Sequence, residues 1–467
     1  MWAAAPDRRA AGGRPDVDVL IAGAGAAGLA AALAAAPDAS VLLVEGNRNF
    51  RRACNTVLST SMIPAGGSRW QRSAGIADSP ERFLTDVMAK THGTARRDVA
   101  EALTRVAPAL VAWLADTAGV ALELVTDFDY PGHSVRRCHA VRDRSGASLH
   151  RALLDAVRKV PAVTFEMPCR ITDLLTDGAD SVTGAVVQTP DGAQEAVTAH
   201  AVVLATNGFA ANREMVAEHL PEIRNALYFG GEASTGDALR LGERVGADVV
   251  DLDAYQGHGS VAVPQGVLLT WATVMHGGVL VNARGHRFGD ESRGYSEFGQ
   301  VVLAQPDGIA WAVYDTAVDR LCRSFADYRL CLETGAVRQA RDVDELVTIT
   351  GAPREALAAT LDSIARTGAG GGDEFGRTWW PRGLEAPYLA VKVTGALFHT
   401  QGGLGVDGHA RVLRGGRPIP GLYAAGGAAV GISGHGADGY LAGNGLLAAL
   451  GLGYLAGRAA AADRVQR

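Results

Sequence analysis

The stretch DVDVLIAGAGAAGLAAALAAAPDASVLLVE, residues 16–45, decides the fold of this chain. It begins with a short apolar run that predicts a buried strand over residues 16–22. A glycine turn then leads into an alanine-rich helix over residues 23–36, and a second apolar strand follows at residues 41–44. A strand, turn, helix and strand within about 30 residues form the unit of a parallel sheet. We therefore expect an α/β protein.

The glycines of this stretch give the pattern G-x-G-x-x-G directly after a strand and at the start of a helix. The first glycine permits the tight turn, the second lets the backbone approach a pyrophosphate, and the third lets helix and strand pack closely. Glu45 ends the next strand, where its carboxylate can accept hydrogen bonds from ribose hydroxyls. The predicted dinucleotide-binding residues of this turn are Gly23, Gly25, Ala26, Ala27 and Gly28.

Two later strands suggest that the cofactor-binding domain is split. AVVLATNG (201–208) and PGLYAAG (420–426) are both apolar runs that close on glycine. Such a layout suits a long, extended ligand such as FAD. Only the G-x-G-x-x-G at residues 23–28 directly follows a strand and opens a helix, so we expect no second domain for NAD(P)H. We expect a disordered tail over residues 1–15, an FAD-binding domain from 16–228 and 381–467, and a capping domain over 229–380. The capping domain is expected to end just after the glycine-rich run TGAGGGDEFG (367–376).

The composition argues against several classes of protein. A net charge of −6 over 467 residues provides no basic surface for nucleic acid. The 12 histidines show no metal-binding spacing, so we expect no metal. Five cysteines form no disulfide framework and fit reduced thiols in a cytoplasmic protein. No run of about 20 apolar residues lies outside the glycine pattern, so we expect no membrane span.

With these motifs in this order, the chain resembles the fumarate reductase and succinate dehydrogenase flavoprotein family, which includes the 3-ketosteroid dehydrogenases. The resemblance extends from about residue 16 to 462. Besides residues 17–36, it rests on CNTVLSTSMIPAGG (54–67), VVLATNGF (202–209), STGDALRLGERVGA (234–247), GHRFGDESRGYSEF (285–298), FHTQGGLGVD (398–407) and IPGLYAAGGAAVGISGHGADGYLAGNGLL (419–447).

The resemblance implies a split Rossmann-like FAD-binding domain of the glutathione-reductase type, with an inserted α+β capping domain. It also implies FAD contacts outside the first glycine turn. These are Asn55, Thr56, Ser59, Ala205, Thr206, Asn207, Gly208, Asp237, Gly426, Gly443, Asn444, Gly445 and Leu446. Respiratory members attach FAD through a histidine near the start of the 54–67 segment, and this chain has none there. The resemblance therefore implies non-covalent FAD.

Departures from the family bear on the substrate. Where fumarate reductases carry an arginine that grips a substrate carboxylate, this chain has Tyr440, as ketosteroid dehydrogenases do. Phe398 replaces one of two family histidines, and Gly427 replaces an acid that contacts the cofactor. The position of the capping-domain proton donor, an arginine in fumarate reductases, aligns with Asp319, and Arg320 is adjacent.

Each candidate catalytic residue has a functional and a structural interpretation. Arg293 could anchor a substrate oxygen or relay a proton with Glu291 as its partner, or the two could form a structural ion pair. Tyr295 could place a phenol over the flavin or pack in the core. His258 and His399 occupy positions expected near substrate and flavin, although His399 could simply cap its loop. Tyr440 is the strongest candidate, as a donor to a substrate carbonyl.

These residues predict an FAD-dependent dehydrogenase or ene-reductase. The predicted chemistry is hydride exchange between the flavin and a C–C bond α,β to a carbonyl, in a ketosteroid-like or biosynthetic enone substrate. The expected partners are a small molecule with a carbonyl or carboxyl group and an external electron acceptor or donor. One alternative is an enzyme similar to fumarate reductase or tricarballylate dehydrogenase that uses Arg293, Arg320 and the histidines. Another is an electron-transfer flavoprotein subunit.

Overall fold

The computed structural model describes residues 15–178, 181–367, 372–378, 380 and 383–463. Its strands are β1 (Val17–Ala22), β2 (Val41–Val44), β3 (Ile63–Pro64), β4 (Leu122–Leu124), β5 (Cys138–Val141), β6 (Val163–Glu166), β7 (Arg170–Thr176), β8 (Val182–Gln188), β9 (Gln194–Leu204), β10 (Leu227–Tyr228), β11 (Val249–Val250), β12 (Tyr255–Ala262), β13 (Val267–Leu268), β14 (Val279–Val281), β15 (Ile309–Asp315), β16 (Arg338–Ala340), β17 (Tyr388–Thr400), β18 (Gly403–Leu404), β19 (Arg411–Arg414) and β20 (Arg417–Ala424).

The α-helices are α1 (Ala26–Ala35), α2 (Phe50–Ala53), α3 (Asn55–Leu58), α4 (Arg69–Ser73), α5 (Pro80–Lys90), α6 (Arg97–Asp116), α7 (Gly146–Val157), α8 (Arg213–His219), α9 (Asp237–Arg244), α10 (Ala272–Met275), α11 (Phe298–Leu303), α12 (Thr316–Cys322), α13 (Ala326–Glu333), α14 (Val343–Thr350), α15 (Arg354–Thr367) and α16 (Asn444–Asp463). The predicted disordered tail, apart from Pro15, lies outside the described residues, as do residues 368–371 of the glycine-rich run.

The chain divides into two compact units, and the first carries the predicted parallel sheet. Unit 1 comprises Met1–His219, Gly230–Tyr255 and His399–Arg467. Its main sheet runs β19-β20-β9-β1-β2-β6, and β8 pairs with β9 while β7 pairs with β8. β1 pairs in parallel with both β2 and β9, and β20 pairs in parallel with β9 through Leu422 and Val202. The predicted α/β fold is confirmed. β20, from the C-terminal part of the chain, lies in the same sheet as the N-terminal strand β1.

Two apolar helices pack tightly in unit 1. All ten residues of α1 are buried. A Cβ on Gly453 or Gly457 of α16 would lie 2.3 Å from the carbonyl oxygen of Ala27 or Ala31, so only glycine permits this close approach. Within the described chain, α16 is the one helix long and apolar enough to cross a membrane, but 56% of its apolar window is buried. Its composition is therefore explained by packing against α1.

Unit 2 comprises Leu220–Phe229 and Gln256–Phe398 and is built on a second sheet. This sheet runs β13-β12-β17-β15-β14, and β10 and β16 also pair with β17. β15, with the sequence IAWAVYD, is almost entirely buried. Val281, Val313 and Trp311 of the sheet form one apolar cluster with Leu346 of α14 and Leu357 of α15. Unit 2 thus has its own hydrophobic core.

The division into units differs from the predicted boundaries of the capping domain, 229–380. Residues 230–255 belong to unit 1, because β11 pairs with β18 and the Asp248 N–H donates to the Leu413 carbonyl. At the other end, β17 pairs with β15 as far as Thr394, so the chain up to Phe398 belongs to unit 2. The glycine-rich run is therefore a poor marker of the boundary, since the strand that completes the second sheet follows it.

Candidate active site

The glycine turn between β1 and α1 has the geometry that pyrophosphate binding requires. Gly23 has φ +105°, and a Cβ there would lie 2.4 Å from the Ala205 carbonyl oxygen. A Cβ on Gly28 would lie 1.7 Å from the Gly23 carbonyl oxygen, so helix and turn touch directly. A Cβ on Gly25 would meet only the Thr56 hydroxyl, at 3.5 Å. The second glycine therefore leaves open space at the N-terminus of α1 for a phosphate group.

Polar side chains hold this turn in place. Glu45 accepts from the Ala24 and Asn47 N–H groups, at 2.7 Å each, and burial raises the pKa of its carboxyl group. The Thr56 hydroxyl accepts from the Ala26 N–H at 2.9 Å, in the first turn of α1. His150 of α7 contacts the Ala24 carbonyl through Nε2 at 2.9 Å, a contact that no sequence pattern indicated. These side chains fix the turn.

Three buried polar side chains test whether the site fits FAD. Among the residues described, the hydroxyls of Ser61 and Thr206 and both amide atoms of Asn444 have no hydrogen-bond partner. An unsatisfied buried polar group costs about 1–3 kcal/mol. All three residues lie in segments that the family resemblance assigns to FAD, and Asn444 is completely buried at the first residue of α16. A ligand rich in donors and acceptors, as FAD is, fits this set.

The structure explains the glycine at position 427. A Cβ there would lie 2.4 Å from Oδ1 of Asn207 and 2.8 Å from the Gly208 nitrogen. The Asn207 side chain also donates to the Ser234 hydroxyl at 2.7 Å, and Asn207 itself has φ +67°. The amide of Asn207 therefore fills the space that a carboxylate at position 427 would need.

The other predicted cofactor residues have varied surroundings. Asn55 accepts from the Gly231 N–H, and the Ser59 hydroxyl donates to the Thr56 carbonyl. Gly426 and Gly443 have positive φ, while Ala27 and Leu446 are buried. The Asp237 carboxylate binds Arg170, Arg240 and the Thr235 hydroxyl. These three donors favour a structural role for Asp237, which its place in a family motif did not reveal.

Tyr440, His399 and Gly445 form a compact group at the start of α16. The rings of His399 and Tyr440 meet edge to face with centroids 5.8 Å apart. The Gly445 N–H donates to the Tyr440 hydroxyl across 3.4 Å, and a Cβ on Gly445 would lie 2.9 Å from Nε2 of His399. Burial lowers the pKa of His399 to about 4 and raises that of Tyr440 far above its usual value. All three groups are therefore neutral at pH 7.

In unit 2, His258 lies in a column of aromatic rings. Its imidazole stacks between Tyr295, at 4.9 Å between centroids, and Phe398, at 5.2 Å. Phe229 stacks on the far side of Phe398 at 5.1 Å, and Trp271 meets His258 edge to face at 5.7 Å. Burial lowers the pKa of His258 to about 3, so this ring is also neutral. Phe398, which replaces a family histidine, thus contributes a stacking partner.

The protonation pattern of His258 follows from its neighbours. The Ser260 N–H donates to His258 Nδ1 at 3.2 Å, so Nδ1 is the unprotonated nitrogen. The Ser260 hydroxyl uses its own proton on the Leu269 carbonyl at 2.8 Å. Neutral His258 therefore carries its hydrogen on Nε2 and is a hydrogen-bond donor there.

Glu291 has structural partners that the sequence interpretation missed. Its Oε1 accepts from Arg287 Nε and the Leu280 N–H, and its Oε2 accepts from Arg287 Nη2 and Arg377 Nη1. Arg287 also binds Asp373, and both Glu291 and Arg377 are completely buried. Four donors occupy about all the acceptor positions of one carboxylate. The contacts of Glu291 are therefore those of a structural anchor.

The remaining capping-domain candidates have different exposure. Arg293 is exposed, and Tyr295 is partly buried through its stack on His258. Asp319, aligned with the proton donor of fumarate reductases, is buried, accepts from the Tyr328 hydroxyl at 2.8 Å and pairs with Arg323 at 2.9 Å. Its contacts are those of a structural carboxylate, whereas Arg320 is exposed. No group of histidine, cysteine and acidic residues suited to a metal ion occurs in the part of the chain described.

Comparisons with known proteins agree with this geometry. The family model described as FAD binding domain matches residues 18–446. An NADH:fumarate oxidoreductase of Klebsiella pneumoniae (strain 342) is 31% identical over 451 residues, which cover 95% of this chain but 47% of that protein. The chain thus spans about half the length of this relative.

Two solved structures are similar over nearly the whole chain. The open conformation of a flavocytochrome c3 fumarate reductase has a TM-score of 0.79 and 28% identity, over 97% of this chain and 79% of that one. A 3-ketosteroid-Δ4-(5α)-dehydrogenase from Rhodococcus jostii RHA1, in complex with 4-androstene-3,17-dione, has a TM-score of 0.76 and 27% identity, over 96% and 98% of the two chains.

Proposed function

The chain belongs to the FAD-binding flavoprotein family of the fumarate reductases and 3-ketosteroid dehydrogenases, and on this premise we propose that it oxidises or reduces a C–C bond α,β to a neutral carbonyl. It is an FAD-dependent oxidoreductase, in a family that acts on carbon–carbon bonds. Bound FAD supplies hydride transfer, and the protein supplies binding, orientation and proton handling. The proposed substrate is a cyclic ketone or enone, such as a steroid.

The observation that carries this proposal is the group of neutral donors at the start of α16. A carbonyl accepts one or two hydrogen bonds, and negative charge develops on its oxygen when the adjacent carbon loses a proton. The Tyr440 hydroxyl, the His399 imidazole and the N-terminal turn of α16 can stabilise that charge without carrying a formal charge themselves. A carboxylate bound there would leave water at a cost of at least about 1–3 kcal/mol.

The aromatic column of unit 2 supports the same substrate class. His258 is buried, stacked on both faces and neutral, so it offers one hydrogen bond and no positive charge. Phe229 is the partly exposed last ring of this column, and a flat aromatic ring packs well against a cyclic apolar molecule. A small dicarboxylate would gain little from this surface.

A second candidate is an enzyme acting on a di- or tricarboxylate. Fumarate reductases among the similar proteins favour it, and Arg293 and Arg320 are exposed cations in unit 2 that a carboxylate could use. In this case Tyr440 would have a minor role. The two candidates make opposite predictions for a single substrate panel.

The deciding experiment is anaerobic mixing of the purified yellow protein with saturated cyclic ketones and with saturated dicarboxylates. We expect the ketones to bleach the flavin absorbance and succinate to leave it unchanged. The dithionite-reduced protein should likewise be reoxidised by enones faster than by fumarate. Rapid turnover of fumarate, with ketones and enones inert, would establish the second candidate. Bleaching by neither class would leave electron transfer between partner proteins as the function.

The mode of FAD attachment needs a separate test. We propose non-covalent binding, because the 54–67 segment begins Cys54-Asn55-Thr56 and contains no histidine. Acid precipitation of the protein should release the yellow colour into the supernatant. Colour retained in the washed pellet would contradict this.

A further inference from the structure

A buried glutamine in the FHTQGGLGVD segment (398–407) lies behind His399 and has no role assigned above. Gln401 Nε2 is 2.9 Å from His399 Nδ1, and the Ser433 hydroxyl donates to Gln401 Oε1 at 3.0 Å. Gln401 is 5% exposed and Ser433 is 1% exposed. The three side chains therefore form a short hydrogen-bonded row inside unit 1.

The backbone fixes this glutamine on both sides. The Gln401 N–H donates to the Ala254 carbonyl at 2.7 Å, and the Gln401 carbonyl accepts from the Gly431 N–H at 2.8 Å. A Cβ on Gly431 would lie 2.7 Å from Oε1 of Gln401, so the glycine leaves just enough room for the amide. An amide held this way, with its oxygen towards Ser433, presents its NH₂ group to His399.

This contact determines where neutral His399 carries its proton. The Thr400 carbonyl oxygen also lies near Nδ1, at 3.3 Å, but the Gln401 amide nitrogen is closer, at 2.9 Å. An amide nitrogen only donates, so with Gln401 as its partner Nδ1 of His399 accepts, and the ring hydrogen is on Nε2. Nε2 is the nitrogen beside Gly445, 2.9 Å from the position of a Cβ on that glycine, and the Tyr440 hydroxyl is 3.5 Å from the same position. Both donor atoms thus lie within 3.5 Å of one point at the start of α16.

We propose that Gln401 is a positioning residue that holds His399 in the Nε2-protonated form, making it a second neutral donor to the substrate oxygen beside Tyr440. The part that concerns substrate rests on the proposed function, whereas the protonation pattern does not. Within this row His399 orients and polarises the substrate and does not act as a base, because its only lone pair is used by Gln401. Among the residues described, Tyr440 is a titratable group whose ring contacts that of His399.

The direct test is ¹⁵N NMR of the histidine side chains in the FAD-loaded protein. The His399 signals are assigned by their loss in His399→Asn. In the wild type we expect protonated Nε2, unprotonated Nδ1 and no titration between pH 6 and 8. Gln401→Glu should move the proton to Nδ1 or raise the pKa of His399 into that range. Gln401→Met, which keeps the volume, should leave a mixture of tautomers.

Kinetics provide the second readout. If a ketone is a substrate, Gln401→Glu should lower kcat/KM by roughly 10²-fold, the scale for loss of one donor to an oxyanion, and add a pH-dependent limb. The matched control is Gln194→Glu, which adds the same charge at an exposed position on β9. Ser433→Ala, a milder change, should shift the tautomer in the same direction as Gln401→Met.

The outcomes separate the two hypotheses. A proton on Nδ1 in the wild type, or an unchanged tautomer in both Gln401 variants, would overturn the role of Gln401. A tautomer that responds to Gln401 in a protein that turns over no ketone would support that role and reject the proposed substrate.

Discussion

Two histidines in the two units of the molecule are both kept neutral by burial, but their neighbours differ. His399 in unit 1 belongs to a row of hydrogen-bonded polar groups, with Gln401 behind it and Tyr440 beside it. His258 in unit 2 is enclosed by aromatic rings and receives one backbone hydrogen bond from Ser260. A polar row specifies a proton position through directional contacts, whereas a ring stack excludes water and specifies shape. Under the proposed function, the first region would stabilise charge on the substrate oxygen and the second would contact apolar groups of the substrate.

The largest expected effect is a loss of stability when the buried ion pairs of Glu291, next to the aromatic column of unit 2, are broken. Glu291→Gln removes the charge that two buried arginines, Arg287 and Arg377, share, and the Glu291 backbone also holds the Trp271 indole. Removing one member of a buried ion pair costs about 3–5 kcal/mol. We expect a clearly lower urea midpoint by tryptophan fluorescence.

The matched control for this change is Glu345→Gln. Glu345 pairs with Arg341 at the surface, where an ion pair is worth about 0–1 kcal/mol. Equal shifts in the two variants would mean that the Glu291 cluster does not anchor unit 2.

The next effect addresses the polar region. Tyr440→Phe removes the donor hydroxyl and keeps the ring against His399, so turnover of the best ketone should fall roughly 10²–10³-fold with FAD content unchanged. Stopped-flow flavin reduction measures this directly. The control is Tyr454→Phe within α16, whose hydroxyl accepts from Arg458 at the surface. Fumarate reduction that is insensitive to Tyr440→Phe would restore the dicarboxylate candidate.

A smaller effect is expected in the aromatic region. His258→Phe keeps the stack between Tyr295 and Phe398 but removes the Nε2 donor. One neutral hydrogen bond contributes about 1 kcal/mol, so KM should rise about five- to tenfold with kcat little changed. Ser260→Ala keeps the backbone N–H that fixes His258 and should have less effect. A large loss of kcat in His258→Phe would instead place His258 in the chemical step.

The smallest expected effect is that of pH on kcat/KM. Burial lowers the pKa of His399 to about 4 and of His258 to about 3, so both rings lose their proton well below neutral pH. The kcat/KM profile should then have no inflection near pH 6.5, where an exposed histidine titrates. A limb at that pH that disappears in His399→Asn would contradict the neutral assignment.

The sequence predicted the parts of the molecule that depend on local pattern. Apolar runs gave β1, β2 and β9, and the glycine triplet gave the turn before α1, because strand burial and backbone clearance leave direct marks on residue type. The place of Tyr440 near the end of the chain was also visible, since it lies in a motif with fixed spacing. The boundaries of unit 2 could not be predicted from the sequence, because β17, which belongs to the sheet of unit 2, follows the glycine-rich run in the chain.

Only the tertiary structure showed which side chains form ion pairs and hydrogen bonds with one another. The sequence proposed Arg293 as the partner of Glu291, but Arg377, 86 residues away, and Arg287 bind that carboxylate. Asp319 aligned with a proton donor and turned out to be held by Tyr328 and Arg323. Thus the sequence alone determined an FAD-binding α/β protein with Tyr440 at its C-terminal motif. Which charges are paired and which histidine nitrogens carry protons depended on the fold, because these properties arise from groups that meet only after distant segments pack together.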